Sequence, residues 1–221
     1  MRSGPTLPWV PASERERRWS ALHHGIDPAG VPLLRGWLRL IGALARPLAA
    51  LRVPPTAVTA AGVVLAGLAV LLASPAPARA AAVVLLAVLC DALDGALAIV
   101  ADRATPAGAR ADAVADRLVD VAFAAVLWRC GAPWWTAVLA AALAGAVDLL
   151  RRVRRTPARI TVGERPTWTI CAILACLGAA VTVAAWPVLV CVCVWTAAGV
   201  VALGQLLTPG GRASSSAAGG A

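Results

Sequence analysis

From residue 56 to residue 207 the chain is a succession of apolar runs separated by short polar breaks. Six runs stand out, at 56–73, 80–100, 108–128, 133–150, 168–185 and 187–207. A membrane-crossing helix needs about 20 apolar residues at about 1.5 Å of rise each, and the runs are of that order. The breaks "SPAPAR", "CGAP" and the short turn at Trp186-Pro187 alternate with longer polar ones. Ahead of the runs lies "VPLLRGWLRLIGALARPLAALRVPP", in which Leu34, Trp37, Leu38, Ile41 and Leu44 follow helical spacing. Arg35, Arg39 and Arg46 fall together on another face. This pattern predicts an amphipathic helix, too charged to span, lying in the membrane interface with its Arg toward anionic headgroups. A partner-binding helix is the alternative. The expected fold class is all-α integral membrane: six transmembrane helices preceded by an N-terminal amphipathic interfacial helix. The expected divisions are a flexible cytosolic lead (1–25), the juxtamembrane helix (26–54), the six-helix domain (55–207) and a flexible tail of low complexity (208–221).

Composition changes this picture little. The chain is 60% hydrophobic, against about 45–50% for soluble domains. It carries a net charge of +9, and its cations are all Arg. With so apolar a chain, a charged lipid surface is the expected partner and nucleic acid is not. Arg is dense before the first run and between the fourth and fifth, while only Arg79 and Arg129 fall on the other side. The positive-inside rule then places both termini in the cytosol. Trp128, Trp134, Trp135 and Trp186 fall together at the outer interface, as a Trp belt does. No cleavable signal peptide is read at the N-terminus. The six Cys form no CxxC and sit mostly in apolar runs, so they read as small buried hydrophobes. His23 and His24 have no partnering ligands nearby in sequence and read as surface residues.

The acids are the anomaly. The chain has 11, and Asp91, Asp94, Asp102, Asp112, Asp116 and Asp120 crowd into one apolar stretch. On helices, Asp91 and Asp94 share a face at i, i+3 near the cytosolic end of the second run. Asp112, Asp116 and Asp120, at i, i+4 and i+8, form a slanting stripe at the start of the third, turning about 40° per step. The segment "IVADRATPAG" closes the two helix ends as a hairpin, so the carboxylate faces can meet at the membrane border. Bare, they would repel one another and resist desolvation. Hard divalent cations such as Mg²⁺, Mn²⁺ or Ca²⁺ remove both problems, and Mg²⁺ typically joins carboxylates to substrate phosphates. Gly95 and Gly108 leave room for a base or a diphosphate against the backbone. The structural alternative is a polar seam with the Asp paired to Arg103, Arg110 and Arg117.

The stretch resembles the CDP-alcohol phosphatidyltransferase family, whose signature is D-x2-D-G-x2-A-R-x8-G-x3-D-x3-D. Asp91, Asp94, Gly95, Ala98, Gly108, Asp112 and Asp116 all stand at the family spacing, and Ile99 stands where the family has Arg. The resemblance covers roughly residues 30–207 and implies a bacterial, multi-pass plasma-membrane enzyme of phospholipid biosynthesis, its site facing the cytosol. It implies two Mg²⁺ or Mn²⁺ ions held by Asp91, Asp94, Asp112 and Asp116, with Asp116 also the general base. It implies transfer of the phosphatidyl group from CDP-diacylglycerol to a small alcohol acceptor, with release of CMP. "PTAVT" at 55–59 resembles the family's P-N-x-x-T nucleotide segment, which implies nucleotide contacts from Thr56 and Thr59; Thr105, Gly95, Ala98 and Gly108 complete the CDP-lipid set. Arg103, one turn beyond Ile99, is placed to take over the diphosphate contact. A phosphorylated acceptor such as glycerol 3-phosphate or inositol phosphate calls for bidentate Arg, with Arg152, Arg155 and Arg165 as candidates. Asp120 and Asp148 read as ion-pair partners of Arg, and Asp102 as a solvated loop acid. The resemblance also implies a homodimer, which the small-residue surface "AALAGA" permits. Three rivals are a weakened or inactive homologue that still binds CDP-lipid, an intramembrane prenyltransferase, and a transporter.

Overall fold

The computed structural model describes residues 32–100, 105–154 and 165–208. Among them are seven helices and no strand: α1 (Pro32–Ala50), α2 (Pro55–Leu72), α3 (Pro77–Val100), α4 (Pro106–Arg129), α5 (Trp134–Arg154), α6 (Arg165–Val181) and α7 (Trp186–Leu207). Three of these helices, α2, α3 up to Ile99, and α7, are each long and apolar enough to cross a bilayer. The expected lead and nearly all of the expected tail lie outside the described residues.

Proline sets where the helices begin. α1, α2, α3 and α4 each start on Pro, whose missing N–H costs nothing in a first turn and whose fixed φ is already helical. The break between α4 and α5 is a Schellman turn: Ala132 N–H bonds Leu127 C=O and Gly131 N–H bonds Trp128 C=O, each at 3.0 Å. Gly131 has φ 113°, a conformation that side-chain-bearing residues rarely adopt. The same turn ends α1, where Arg52 takes the left-handed position at φ 57°.

α4 is the hub, packed against α2, α5 and α6, while α3 packs against α1, α2 and α6. The main core is dominated by small residues, among them Ala66, Ala69, Ala80, Ala87, Ala140 and Ala172. In a bilayer no hydrophobic driving force favours one apolar contact over another, so close backbone approach and dispersion do the holding. Gly62 shows the consequence: a Cβ there would stand 3.3 Å from Cys90 Cβ on α3. Large side chains fix the register at one place, where Trp168 of α6 stacks on Trp195 of α7 at 5.0 Å. The Trp195 indole N–H donates to Ala140 C=O of α5 at 3.2 Å. Of the cysteines, Cys171, Cys176 and Cys191 are buried as expected, Cys90 and Cys130 are half-buried, and Cys193 is exposed.

The α6–α7 turn is the tightest contact. A Cβ on Gly178 would lie 2.6 Å from the Pro187 ring. The ring is rigid and cannot turn aside, so Gly178→Ala is expected to cost about 1–3 kcal/mol by overpacking. A lowered midpoint of thermal unfolding in detergent, followed by tryptophan emission, is the check.

α1 packs on the bundle through part of its apolar side. Ile41, Ala45 and Ala49 are buried, Ala45 and Ala49 packing with Val58 and Leu97, whereas Trp37 and Leu44 are exposed. Ala45 and Ala49 extend a small-residue ridge from Ile41 at intervals of four. That ridge lets α1 approach α3 closely, and the bulkier Trp37 and Leu44 are left on its flank.

Candidate metal and phosphate site

The site forms where α3 ends and α4 begins. Thr105 caps α4, its hydroxyl accepting from Gly108 N–H at 3.0 Å. A Cβ on Gly108 would meet that hydroxyl at 3.1 Å, so the glycine belongs to the cap as well as to the motif. The cap starts the helix about two turns before Asp112 and about three before Asp116, and so fixes the register of both.

One oxygen each from Asp91, Asp112 and Asp116 lie within 4.8 Å of one another. Three hard oxygen donors in that compass suit a hard divalent cation. Asp94 is not part of this triad. It sits three residues along, about 60° around the helix, and is buried at 6% exposure. There it accepts a 2.5 Å hydrogen bond from the Thr59 hydroxyl of α2, which also lies 3.1 Å from Pro55 C=O. A small cleft beside it is lined by Thr59, Gly62, Asp91, Asp94, Ala115 and Asp116. Thr59, expected at the nucleotide, therefore has a carboxylate partner in this structure.

The cation nearest the triad was not foreseen. Arg165, the first residue of α6, sets Nη1 2.6 Å from Asp91 Oδ1 and Nη2 2.7 Å from Asp116 Oδ1. Its Nε is 4.0 Å from Asp120 Oδ1. Arg165, expected among acceptor contacts, stands across two carboxylates of the triad. The one sequence hint is its place next to Pro166, at a helix start, apart from the other Arg of its cluster. Nothing in the sequence says that α6 begins beside α3.

The other Arg residues serve their own surroundings. Arg110 donates to Pro106 C=O at 3.3 Å. Arg117 pairs with Asp120 at 3.0 Å and lies 4.0 Å from Asp148, as expected of both acids. Arg152 pairs with Asp148 at 2.7 Å across one helical turn, and its side chain is 57% exposed. Arg103, Asp102 and Arg155 lie outside the described residues. Of the remaining expected contacts, Thr56 and Gly95 are exposed, with open space around Gly95, and Ala98 and Ile99 are half-buried.

The far end of the bundle is different. α6 begins at the acidic site, so its C-terminus and the start of α7 lie at the other end. Trp128 at the end of α4, Trp134 and Trp135 at the start of α5, and Trp186 at the start of α7 are all exposed there.

An all-helical membrane bundle with an aspartate triad at two adjoining helix ends defines a class of metal-suited membrane proteins. Residues 52–205 match the family model for CDP-alcohol phosphatidyltransferase. The chain belongs to that family, whose members transfer a phosphatidyl group from a CDP-alcohol. A search among curated proteins finds no match to the chain.

Proposed function

We propose that the protein transfers the phosphatidyl group of CDP-diacylglycerol to a small alcohol and releases CMP, with Mg²⁺ or Mn²⁺ at the aspartate centre. The observation that carries this reading is the meeting of Asp91, Asp112 and Asp116 within 4.8 Å at the helix ends that bear the family motif. Asp91, Asp112 and Asp116 are the proposed inner ligands. Asp94, held by Thr59, would be the fourth ligand of the bound ions. The bound ions would neutralise the diphosphate and the leaving CMP, the task metals perform in phosphoryl transfer.

The chain's own residues do the rest. Asp116 takes the proton from the acceptor hydroxyl. The acceptor oxygen bonds to the lipid-side phosphorus as the bond from that phosphorus to the CMP oxygen breaks. Open space at Gly95 leaves the backbone accessible to the nucleotide. Thr56 and Arg103 are further proposed contacts to CDP-lipid. Arg152, Arg155 and Arg165 supply positive charge for a phosphorylated acceptor. The proposal includes six spans, an interfacial α1, a bacterial plasma-membrane location with the site facing the cytosol, and a homodimer.

Purified protein with CDP-diacylglycerol and Mn²⁺ should release CMP with one acceptor from a panel of glycerol 3-phosphate, inositol phosphate, inositol, serine and phosphatidylglycerol. Mass spectrometry of the lipid product then names the acceptor. CMP release only with unphosphorylated alcohols would overturn the assignment of Arg152, Arg155 and Arg165.

A further inference from the structure

We infer that Arg165 is the resident counter-ion of the aspartate centre, that Asp120 is its second seat, and that a divalent cation and the guanidinium exchange there. The inference rests on the divalent-cation reading above and adds a regulation of the same site. The Arg165 fork spans Asp91 Oδ1 and Asp116 Oδ1, at 2.6 and 2.7 Å. Both residues belong to the triad that would ligate a cation. A cation coordinated by these carboxylates and a guanidinium paired with them compete for the same oxygens, and like charges at that range repel. One must leave as the other enters.

Asp120 gives the displaced group somewhere to go. It stands one turn beyond Asp116 and outside the acids of the motif, so metal ligation does not use it. It is buried at 5% exposure, and a carboxylate so placed is costly without a cation beside it. Its Oδ1 already faces Arg165 Nε at 4.0 Å, too far for a hydrogen bond and close enough to need only a short swing. The opposite oxygen is served by Arg117 at 3.0 Å. Arg117 in turn lies 4.0 Å from Asp148, which also holds Arg152. Arg117 can therefore lean toward Asp148 as Arg165 arrives at Asp120, and the run of alternating charges stays balanced in both states. The metal-free centre avoids four mutually repelling carboxylates, and the loaded centre frees a guanidinium close to where substrate phosphates collect.

The test is Mn²⁺ binding, read by electron paramagnetic resonance of the free ion, on detergent-purified protein with CMP present throughout. Arg165→Gln removes the competitor and should tighten Mn²⁺ at least about tenfold, given one charge-assisted hydrogen bond and one close ion pair to displace. It should also lower the unfolding midpoint of the metal-free protein, with Mn²⁺ restoring it. Asp120→Asn removes the second seat and should weaken Mn²⁺ by about threefold. In the Arg165→Gln, Asp120→Asn double variant that penalty should vanish, a coupling that independent structural roles would not produce. Should Arg165→Gln fail to fold, Arg165→Lys, which cannot span two carboxylates, should show a smaller tightening of the same sign. Unchanged or weaker Mn²⁺ affinity in the Arg165 variants overturns the exchange, as does an Asp120→Asn penalty that persists in the double variant. Absence of Mn²⁺ binding in every form overturns the cation reading itself, an outcome distinct from equal affinities.

Discussion

Asp116→Asn lowers CMP release from CDP-diacylglycerol by at least about a thousandfold while leaving the bundle folded. A positioned general base contributes about 10²–10⁴-fold, and Asn accepts no proton. The same change removes one of the three carboxylates of the triad, so metal affinity falls along with the base. The loss should appear in kcat rather than in KM for the lipid, because the side chain acts on the attacking hydroxyl and not on the acyl chains. Arg165 loses one of its two strong partners but keeps Asp91 at 2.6 Å, which limits the structural damage. Steady-state CMP release beside an unfolding midpoint separates the two effects. A variant that folds and retains a tenth of wild-type turnover would remove Asp116 from the reaction.

Trp195→Ala has the largest expected effect on stability. The side chain is fully buried, stacks on Trp168 at 5.0 Å and donates to Ala140 C=O at 3.2 Å, so it joins α5, α6 and α7 at one point. Truncating a buried Trp costs about 3–5 kcal/mol, chiefly through the cavity and lost dispersion. α6 carries Arg165 at one end and Trp168 one turn on, so loosening the stack also loosens the cation at the aspartate centre. The check is the unfolding midpoint in detergent, with Trp195→Phe as the milder comparison that keeps a ring against Trp168. An unchanged midpoint for Trp195→Ala would show that the small-residue contacts hold the bundle by themselves.

What could be read from the sequence followed from periodicity. Asp91, Asp112 and Asp116 are tied to each other by short separations along two helices and a hairpin, so their meeting needed only helical geometry. The helix starts were legible because Pro55, Pro77 and Pro106 mark them chemically. Arg165 was not legible in the same way: it reaches Asp91 across 74 residues of chain. Tertiary packing of α6 on α3 decides that contact, and no local pattern encodes it. The Thr59–Asp94 bond is hidden for a like reason, since it depends on how closely α2 approaches α3 past Gly62. Which side of α1 meets the bundle was not legible either, because its apolar positions do not say which of them face protein. Between helices that pack closely, Ala45 and Ala49 go inside and Trp37 stays out.

The most direct measurement is CMP release from CDP-diacylglycerol by the purified wild-type protein, in Mn²⁺ and again after chelation. Release in Mn²⁺ that stops with the chelator and returns on adding the ion back is the expected result. No release with any acceptor, although Mn²⁺ and CDP-lipid both bind, would contradict the catalytic account and leave a binding protein in which Ile99 has replaced the motif's Arg.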